Sequence, residues 1–504
     1  MNKSKVSRRL TESTAPEVCE HIYAPRLARD FPSGFEYLGD INQAHLLMLH
    51  RAGLLSDEDA SGLAQALLRM EAEGASAVPL DPALEDAYFN FEAQLMRLAG
   101  AHLGGCLHVA RSRNDILATL DRMRARQLAV SLIDGLCAAR CTALEGAIRH
   151  AQVVMPGYTH LQPAQPITFG FYLLGLAEAL GRDITRIRQL QAGLDLCPLG
   201  AGAIAGTSFP ILQQESARLL GFSKAAAHSL DAVASRDFAL ELMSAMAIAG
   251  IGSSRIAQDF YVWCTHEFSL VDFPDSVAGT SSMMPQKKNP VVLEYLKGKA
   301  GHLVGLLMAA MATMKGVNFT HTGDGSRETM RSLWEAGDES LHVLKMLDLV
   351  LRTAIPNEEA MLRRAREDFC AATDLADALV RTSGLSFREA HHVVGAVVRS
   401  AMTRLLAAHQ ISSEMVDEAA LAQIGRRLEL GDQAVRDCLD PARSVSSRTF
   451  GGGPAPAIVL ERAALLLKEC ALEQQANLER SHAFAQARLE LKRSLRALII
   501  PAPA

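Results

Sequence analysis

The sequence predicts an all-α protein: three helical domains built around a long central helix bundle. Three observations carry that expectation. Aromatic residues make up only 5% of the 504 residues, while Ala and Leu are abundant in an apolar share of 49%. That balance favours helices over sheets. Apolar residues also recur at helical spacing over long stretches, and the links between those stretches are short and rich in Pro and Gly. A chain of this length can bury a large core. Its net charge of −5 leaves no broad basic footprint for nucleic acid, so an acidic small molecule has to be met by local cations. The nine cysteines are scattered singly, without Cys-x-x-Cys or His-rich spacing. A reduced, cytoplasmic protein without structural zinc is expected. The N-terminus is basic but lacks the apolar core of a secretory signal. No charge-free apolar run reaches about 18 residues, so no membrane span is expected.

Residues 1–35, with Pro16, Pro25 and Pro32, read as irregular. From about Tyr37 a helix places Ile41, Ala44, Leu47 and Met48 on one stripe. Ser56 with Asp59 resembles a capping box and opens a helix to Ala72, and residues 85–99 form a third helical stretch. Residues 1–107 are the first domain. The central domain, 108–355, holds long helices at Asp115–Ala151, Ile167–Leu190, Ala234–Thr265, 291–314 and Arg327–Thr353. The 167–190 stretch is apolar nearly all round at its start (Phe169, Phe171, Leu173, Leu174, Leu176). Such a helix must be buried in a bundle or an oligomer. Five long helices with short links predict a bundle that associates with further copies. Pro356 opens the last domain, 356–504, which ends in an amphipathic helix over about 455–497.

Three polar runs interrupt this pattern. At Gly104-Gly105 two glycines break the chain before Arg111-Ser112-Arg113-Asn114-Asp115. The run is either an N-cap with a surface ion pair or an anion clamp, since Arg offers a planar fork and Asn adds amide donors. Pro156 to Pro166 contains Thr159 and His160 in a proline-framed loop. Gly279 to Pro290 cannot be regular structure. Gly279 is free of side-chain restraint, the hydroxyls of Thr280, Ser281 and Ser282 compete for backbone hydrogen bonds, and Pro285 and Pro290 lack amide donors. Lys287, Lys288 and Asn289 then lead into a helix N-terminus, which suits a carboxylate.

The run Gly279-Thr280-Ser281-Ser282-Met283-Met284-Pro285-Gln286-Lys287-Lys288-Asn289-Pro290 resembles the signature loop of the fumarase and aspartase superfamily, and its second half is most like the argininosuccinate lyase branch. Arg111–Asp115, the Thr159–Pro166 run, Asp374 with Asp377, and Ser444 with Arg448 resemble further regions of that branch. The likeness spans roughly residues 36–480. Thr280, Cys106, Val109, Ala110 and Ile116 depart from the usual pattern. The resemblance implies a homotetramer with a 20-helix core, active sites built from three subunits, and no cofactor or metal. It implies β-elimination from a succinyl amine through an enediolate, releasing fumarate. Ser281 is the base it implies, Lys287 the cation that stabilises charge, His160 the group that assists the leaving amine or orients water, and Glu294 the carboxylate that partners this His. Ser112, Arg113, Asn114, Thr159, Ser282 and Asn289 are the implied substrate-binding residues.

The amine half departs from the branch. Where argininosuccinate lyases usually carry Tyr, Gln and Lys after the bundle loop, this chain has His321, Ser326 and Thr329. Near the N-terminus Leu38 and Asn42 replace Asp and Ser. A site built for arginine loses on the order of 1–3 kcal/mol per unpaired group. The resemblance is therefore closest to enzymes that release fumarate from other N-substituted aspartates, of the ethylenediamine-N,N′-disuccinate (EDDS) lyase kind. The alternatives are an argininosuccinate lyase with an atypical site, and an inactive structural homologue like the lens crystallins. Intact Ser281, His160, Lys287 and Asn289 argue against the last.

Overall fold

A computed structural model describes residues 9–499 of the chain. Helices dominate it, and the central domain is a bundle of five long ones: Arg113–Arg149, Phe169–Leu194, Asp237–Trp263, Val291–Lys315 and Thr329–Thr353. The Arg113–Arg149 helix packs on Phe169–Leu194 and Thr329–Thr353. The Asp237–Trp263 helix packs on Phe169–Leu194, Val291–Lys315 and Thr329–Thr353. By apolar composition the first of these helices could cross a bilayer, but 56% of that window is buried inside the protein. It also carries Asp134 and Arg140, so it is the axis of a protein core.

The N-terminal stretch differs from the irregular one expected. It is helical from Pro16, through a π-helical turn at Cys19–Tyr23, into Ala24–Arg51. Pro16 and Pro25 stand in first turns, where the missing amide is no loss. Pro32 lies inside the long helix. The stripe Leu27, Phe31, Phe35 and Leu38 is buried, and burial of about 1.5–3 kcal/mol per large side chain outweighs one broken helical bond. The next two helices start where their caps predict. Ser56 accepts from the Asp59 amide at 3.1 Å, and Asp86 from the Phe89 amide at 3.0 Å. Gly104 and Gly105 do not break the chain: they lie in a short helix, Ala101–Cys106. A Cβ on Gly104 would sit 2.7 Å from the Met96 backbone, so close packing is the reason for a glycine there.

The apolar residues form three large clusters. One fills the bundle. A second joins the N-terminal helices to the first turns of Arg113–Arg149 and to residues 197–222. A third holds residues 375–439 together. In the last region Asp374 accepts from Ser444 Oγ at 2.5 Å and from Arg448 at 2.9 Å, which ties two distant runs by a hydrogen bond and an ion pair. The C-terminal helix, Pro456–Ala497, is 42 residues long. It lies along Arg113–Arg149, burying Val459, Ala463, Leu466, Cys470 and Asn477 in one stripe.

Strands are few and short. The largest sheet is a hairpin, Val154–Thr159 with Gln162–Thr168, where an interrupted loop was expected.

Candidate functional site

The three polar runs are held in different ways. In the first, Ser112 is the N-cap of Arg113–Arg149 in a full capping box: its side chain accepts from the helix amides and its own amide donates to Asp115 at 2.9 Å. Asp115 Oδ2 accepts from the Gly200 and Gly202 amides, both at 2.9 Å. Gly202 has φ +62, and a Cβ there would meet the Gly206 carbonyl at 2.6 Å, so this cradle requires glycine. Burial pushes the Asp115 carboxyl up to about 6, against the pull of those three amides.

Around this anchor Arg111 is buried and donates to Asn42 Oδ1 at 2.6 Å and to Tyr88 Oη at 3.3 Å. Among the described residues its Nε and Nη1 have no hydrogen-bond partner. His45 is fully buried and paired with the Val109 carbonyl at 2.9 Å. Burial and the neighbouring Arg111 hold it well below the usual imidazole range, so it is neutral and its Nε2–H donates to that carbonyl. Arg113, expected as an open clamp, spends its charge elsewhere. It pairs with Glu85 at 2.9 Å and Asp86 at 2.8 Å and stacks over Phe89. Asn114 donates to the Ala203 carbonyl at 3.1 Å. The run is an N-cap with an ion pair.

The second run is the hairpin tip. Thr159 pairs with Gln162, which leaves His160 and Leu161 as the two-residue turn. Both have positive φ, 56° and 58°, as a type I′ turn demands. Asn-Gly usually fills such a turn. A His and a Leu there are strained, and strain of this kind gathers at functional positions. The arms are fixed from below, where Tyr158 packs on Trp263 and Phe268. Thr159 and His160 are exposed.

The third run is a loop closed at its base by a two-residue ladder, Gly279 with Asn289 and Thr280 with Lys288. A Cβ on Gly279 would lie 2.5 Å from Val291 Cγ1. Asn289 closes the same neck by donating to the Thr280 carbonyl at 3.2 Å. Ser281 Oγ accepts from the Met284 amide at 2.9 Å and the Met283 amide at 3.4 Å, and two amide donors on one hydroxyl oxygen are what an alkoxide needs. The adjacent lysines differ. Lys288 pairs with Asp272 and Asp275 at 3.2 and 3.3 Å, while Lys287 has no ion pair among the described residues. Ser282 is exposed beside it. Within this chain Glu294 accepts from Tyr261 Oη at 3.4 Å.

Within one chain the three runs do not meet: among the described residues no hydrogen bond or ion pair joins any two of them. Behind the first run lies a polar cluster around His321, of which the sequence did not mark Arg236 and Asp121. His321 is pushed down to about 4 by burial and by Arg236, Arg327 and Arg113, and its Nδ1 is buried without a partner. Arg236 is 2% exposed and lies 3.8 Å from Asp121. Only the unusual stretch after Lys315 marked this place in the sequence.

Comparison with known proteins gives consistent results. The lyase family model matches residues 40–305, and the argininosuccinate lyase C-terminal model matches 369–446. The chain is 39% identical over 467 residues to argininosuccinate lyase 1 of Shouchella clausii, covering 93% of this chain and 94% of that protein. It is 37% identical over 457 residues to argininosuccinate lyase of Methanoculleus marisnigri, covering 90% and 92%. Among solved structures it is similar to an EDDS lyase variant with bound fumarate, with 32% identity, a TM-score of 0.88 and 97% of each chain covered. A 3-carboxy-cis,cis-muconate lactonizing enzyme of Pseudomonas putida, at 19% identity and a TM-score of 0.70, shares the fold.

Proposed function

This chain belongs to the lyase family, in its argininosuccinate lyase branch, and we propose that it is a carbon–nitrogen lyase releasing fumarate from an N-substituted aspartate other than argininosuccinate. The substrate class that fits best is an aminopolycarboxylate of the EDDS type. One observation carries this choice. Where an arginine tail would need acceptors, the chain gathers cations: His321 sits among Arg236, Arg327 and Arg113. The carboxylates nearby are already engaged, Glu85 and Asp86 by Arg113 and Asp121 by Arg236. A guanidinium entering there is repelled, and a second carboxylate is welcome.

In this reading Ser281, activated by the Met283 and Met284 amides, removes the Cβ proton. Lys287 and Asn289 hold the enediolate. Donors placed where charge develops contribute on the order of 3–4 kcal/mol each. The C–N bond then breaks, the electron pair leaves with the amine, and the amine takes up a proton with help from His160. Ser112, Asn114, Thr159 and Ser282 hold the succinyl carboxylates. Arg113 serves by fixing Glu85 and Asp86 as well as by its own charge. Partners of His160 and Lys287 come from other subunits, because one chain leaves the three runs apart.

The assembly proposed is a homotetramer in the cytoplasm. The Asp237–Trp263 and Val291–Lys315 helices support it, since they leave Ile248, Ile251, Val304, Met308 and Met311 exposed in one chain. So much exposed apolar surface on neighbouring helices marks an interface. Sedimentation velocity should give a four-chain particle, and a monomer at micromolar concentration would remove the shared-site reading.

The test of substrate is fumarate release, followed by ultraviolet absorbance, from argininosuccinate and from EDDS under one set of conditions. Both offer the same succinyl group, so only the amine half discriminates. The value of kcat/KM should be higher for EDDS. Equal or higher values for argininosuccinate would restore an arginine-releasing assignment.

A further inference from the structure

The nine cysteines are scattered singly in the sequence, and all nine are free thiols. Folding brings two of them together. Cys141 stands in the Arg113–Arg149 helix and Cys470 in the Pro456–Ala497 helix, 329 residues apart in the chain. Their sulfurs lie 3.1 Å apart and share a thiol hydrogen bond. Cys470 donates its own proton to the Cys137 carbonyl at 3.6 Å, so Cys141 is the donor between the two sulfurs. Cys470 is fully buried, while Cys141 keeps part of its surface in solvent.

The register of the two helices fixes this approach. Asn477 donates to Asp134 Oδ1 at 2.6 Å and to the Val130 carbonyl at 3.0 Å. Asp134 and Cys141 are seven residues apart, and so are Cys470 and Asn477. Seven residues make about two helical turns, so both pairs lie on one antiparallel seam. Beside the thiols Arg140 pairs with Glu469 at 3.5 Å. Val459, Ala463 and Leu466 continue the seam as a buried stripe. Over residues 478–490 the stripe lapses: no side chain is buried there, and a cavity of about 620 Å³ lies beneath. Cys470 therefore stands near the end of the tightly packed half of its helix. An S–S bond is about 2.05 Å long, so closing it brings the sulfurs only about 1 Å nearer.

We propose that Cys141 and Cys470 are a redox pair, which a peroxide oxidises to a disulfide that fastens the C-terminal helix to the central bundle. Cys141, the thiol in reach of solvent, gives up its proton and attacks a peroxide oxygen. The O–O bond breaks, hydroxide leaves and takes up that proton as water, and Cys141 becomes a sulfenic acid. Cys470 Sγ then attacks the Cys141 sulfur. The S–O bond breaks, and hydroxide leaves as a second water with the Cys470 proton. The two thiols lose two electrons, and hydrogen peroxide is reduced to water. The hydrogen bond to Cys470, with burial, pushes the Cys141 thiol up, so thiolate is scarce at neutral pH and the pair reacts slowly. Only sustained exposure to peroxide closes it. The closed loop spans 329 residues, and a long loop restricts the unfolded chain most. None of the residues assigned to elimination takes part, so the pair stands or falls apart from the fumarate chemistry.

The test treats the full-length protein with hydrogen peroxide, quenches it, and blocks the remaining thiols with N-ethylmaleimide in denaturant. Peptides are then mapped by mass spectrometry without reduction. A peptide linking Cys141 to Cys470 should appear, and dithiothreitol should remove it. The oxidised protein should melt about 2 °C or more above the same sample after dithiothreitol. Dithiothreitol leaves methionine sulfoxide in place, so the reversible part of the shift belongs to thiols. Cys141→Ser should show neither the link nor the shift. The wild-type protein carries both main readouts, so they do not depend on how the variant folds. Cys470 recovered as its maleimide adduct after peroxide would overturn the pairing, and so would a link from Cys470 to Cys137. A Cys141–Cys470 link with an unchanged midpoint would overturn the fastening of the helix.

Discussion

The Arg111–Asp115 anchor and the Gly279–Pro290 loop, which the proposed function places in opposite halves of one site, are built on opposite principles. The anchor is finished within one chain. Asp115 is 0% exposed, three backbone amides fix it, and it in turn positions Ser112 to Asn114 at the start of a 37-residue helix. The loop is finished only at its neck. Gly279, Thr280, Lys288 and Asn289 close it, but Ser282 to Lys287 project into solvent. One is held rigid within the chain, while in the proposed function the other waits for substrate and for neighbouring subunits. A loop that closes on substrate can expel water at the moment charge develops, and a rigid anchor gives it a fixed target. The two halves should therefore fail differently when broken.

The largest effect belongs to the loop. Ser281→Ala should leave the fold and substrate binding intact and reduce fumarate release by about a thousandfold or more. Its hydroxyl makes no contact that holds the core, so the thermal midpoint should not move. Near-normal turnover would pass the base role to Ser282 or His160. A lowered midpoint would mean that the loop is more than a waiting half.

The anchor should show the reverse signature. In Asp115→Asn one carboxylate oxygen becomes an NH2. If that group faces Gly200 and Gly202, two amides lose their acceptor, and if it faces Ser112 the capping box opens. Either way the loss is about 1–3 kcal/mol of stability for each group left unpaired. Calorimetry should register a lower midpoint, with activity falling because Ser112 and Asn114 lose their position. Full stability with lost activity would make Asp115 a substrate contact instead of an anchor.

The same contrast explains what could be read from the sequence. The helix opened by Ser56 was legible from its cap, because Ser56 acts on an amide three residues away. The loop was legible by its fixed spacing of Ser281, Lys287 and Asn289. What stayed hidden depends on partners far along the chain. Arg113 faces Glu85 and Asp86, about thirty residues earlier, and Lys288 differs from Lys287 only because Asp272 and Asp275 lie beneath it. The hairpin was hidden for another reason. Prolines occupy both arms and the turn is His160-Leu161, so neither strand alternation nor an Asn-Gly signal announces it. The N-terminal helix was concealed by Pro32, whose cost is overruled by the tertiary burial of Phe31 and Phe35.

The smallest effect concerns the cluster behind the anchor and follows from proton linkage. The folded-state pKa of His321 is about 4, below the ordinary 6.5, because burial and Arg236, Arg327 and Arg113 all disfavour its charged form. The unfolded chain therefore takes up this proton first. Stability from the neutral ring is fully present above pH 6.5 and is lost progressively as pH falls toward 4. His45 acts in the same direction. Asp115 and Asp121, raised by burial to about 6 and about 7, act in the opposite one, since they destabilise the fold as they ionise. The wild-type pH profile mixes these terms, so the informative quantity is a difference between proteins. His321→Gln removes one titrating ring and should make the loss of stability between pH 6.5 and 4 shallower. Solvent still reaches part of that ring, so the change should be a fraction of the full linkage value, on the order of 1 kcal/mol or less. Thermal midpoints at pH 7 and pH 5 for the two proteins give the comparison. An identical drop in both would mean that His321 titrates alike in the folded and unfolded chains, and would remove the cation cluster that argues against arginine as the leaving amine.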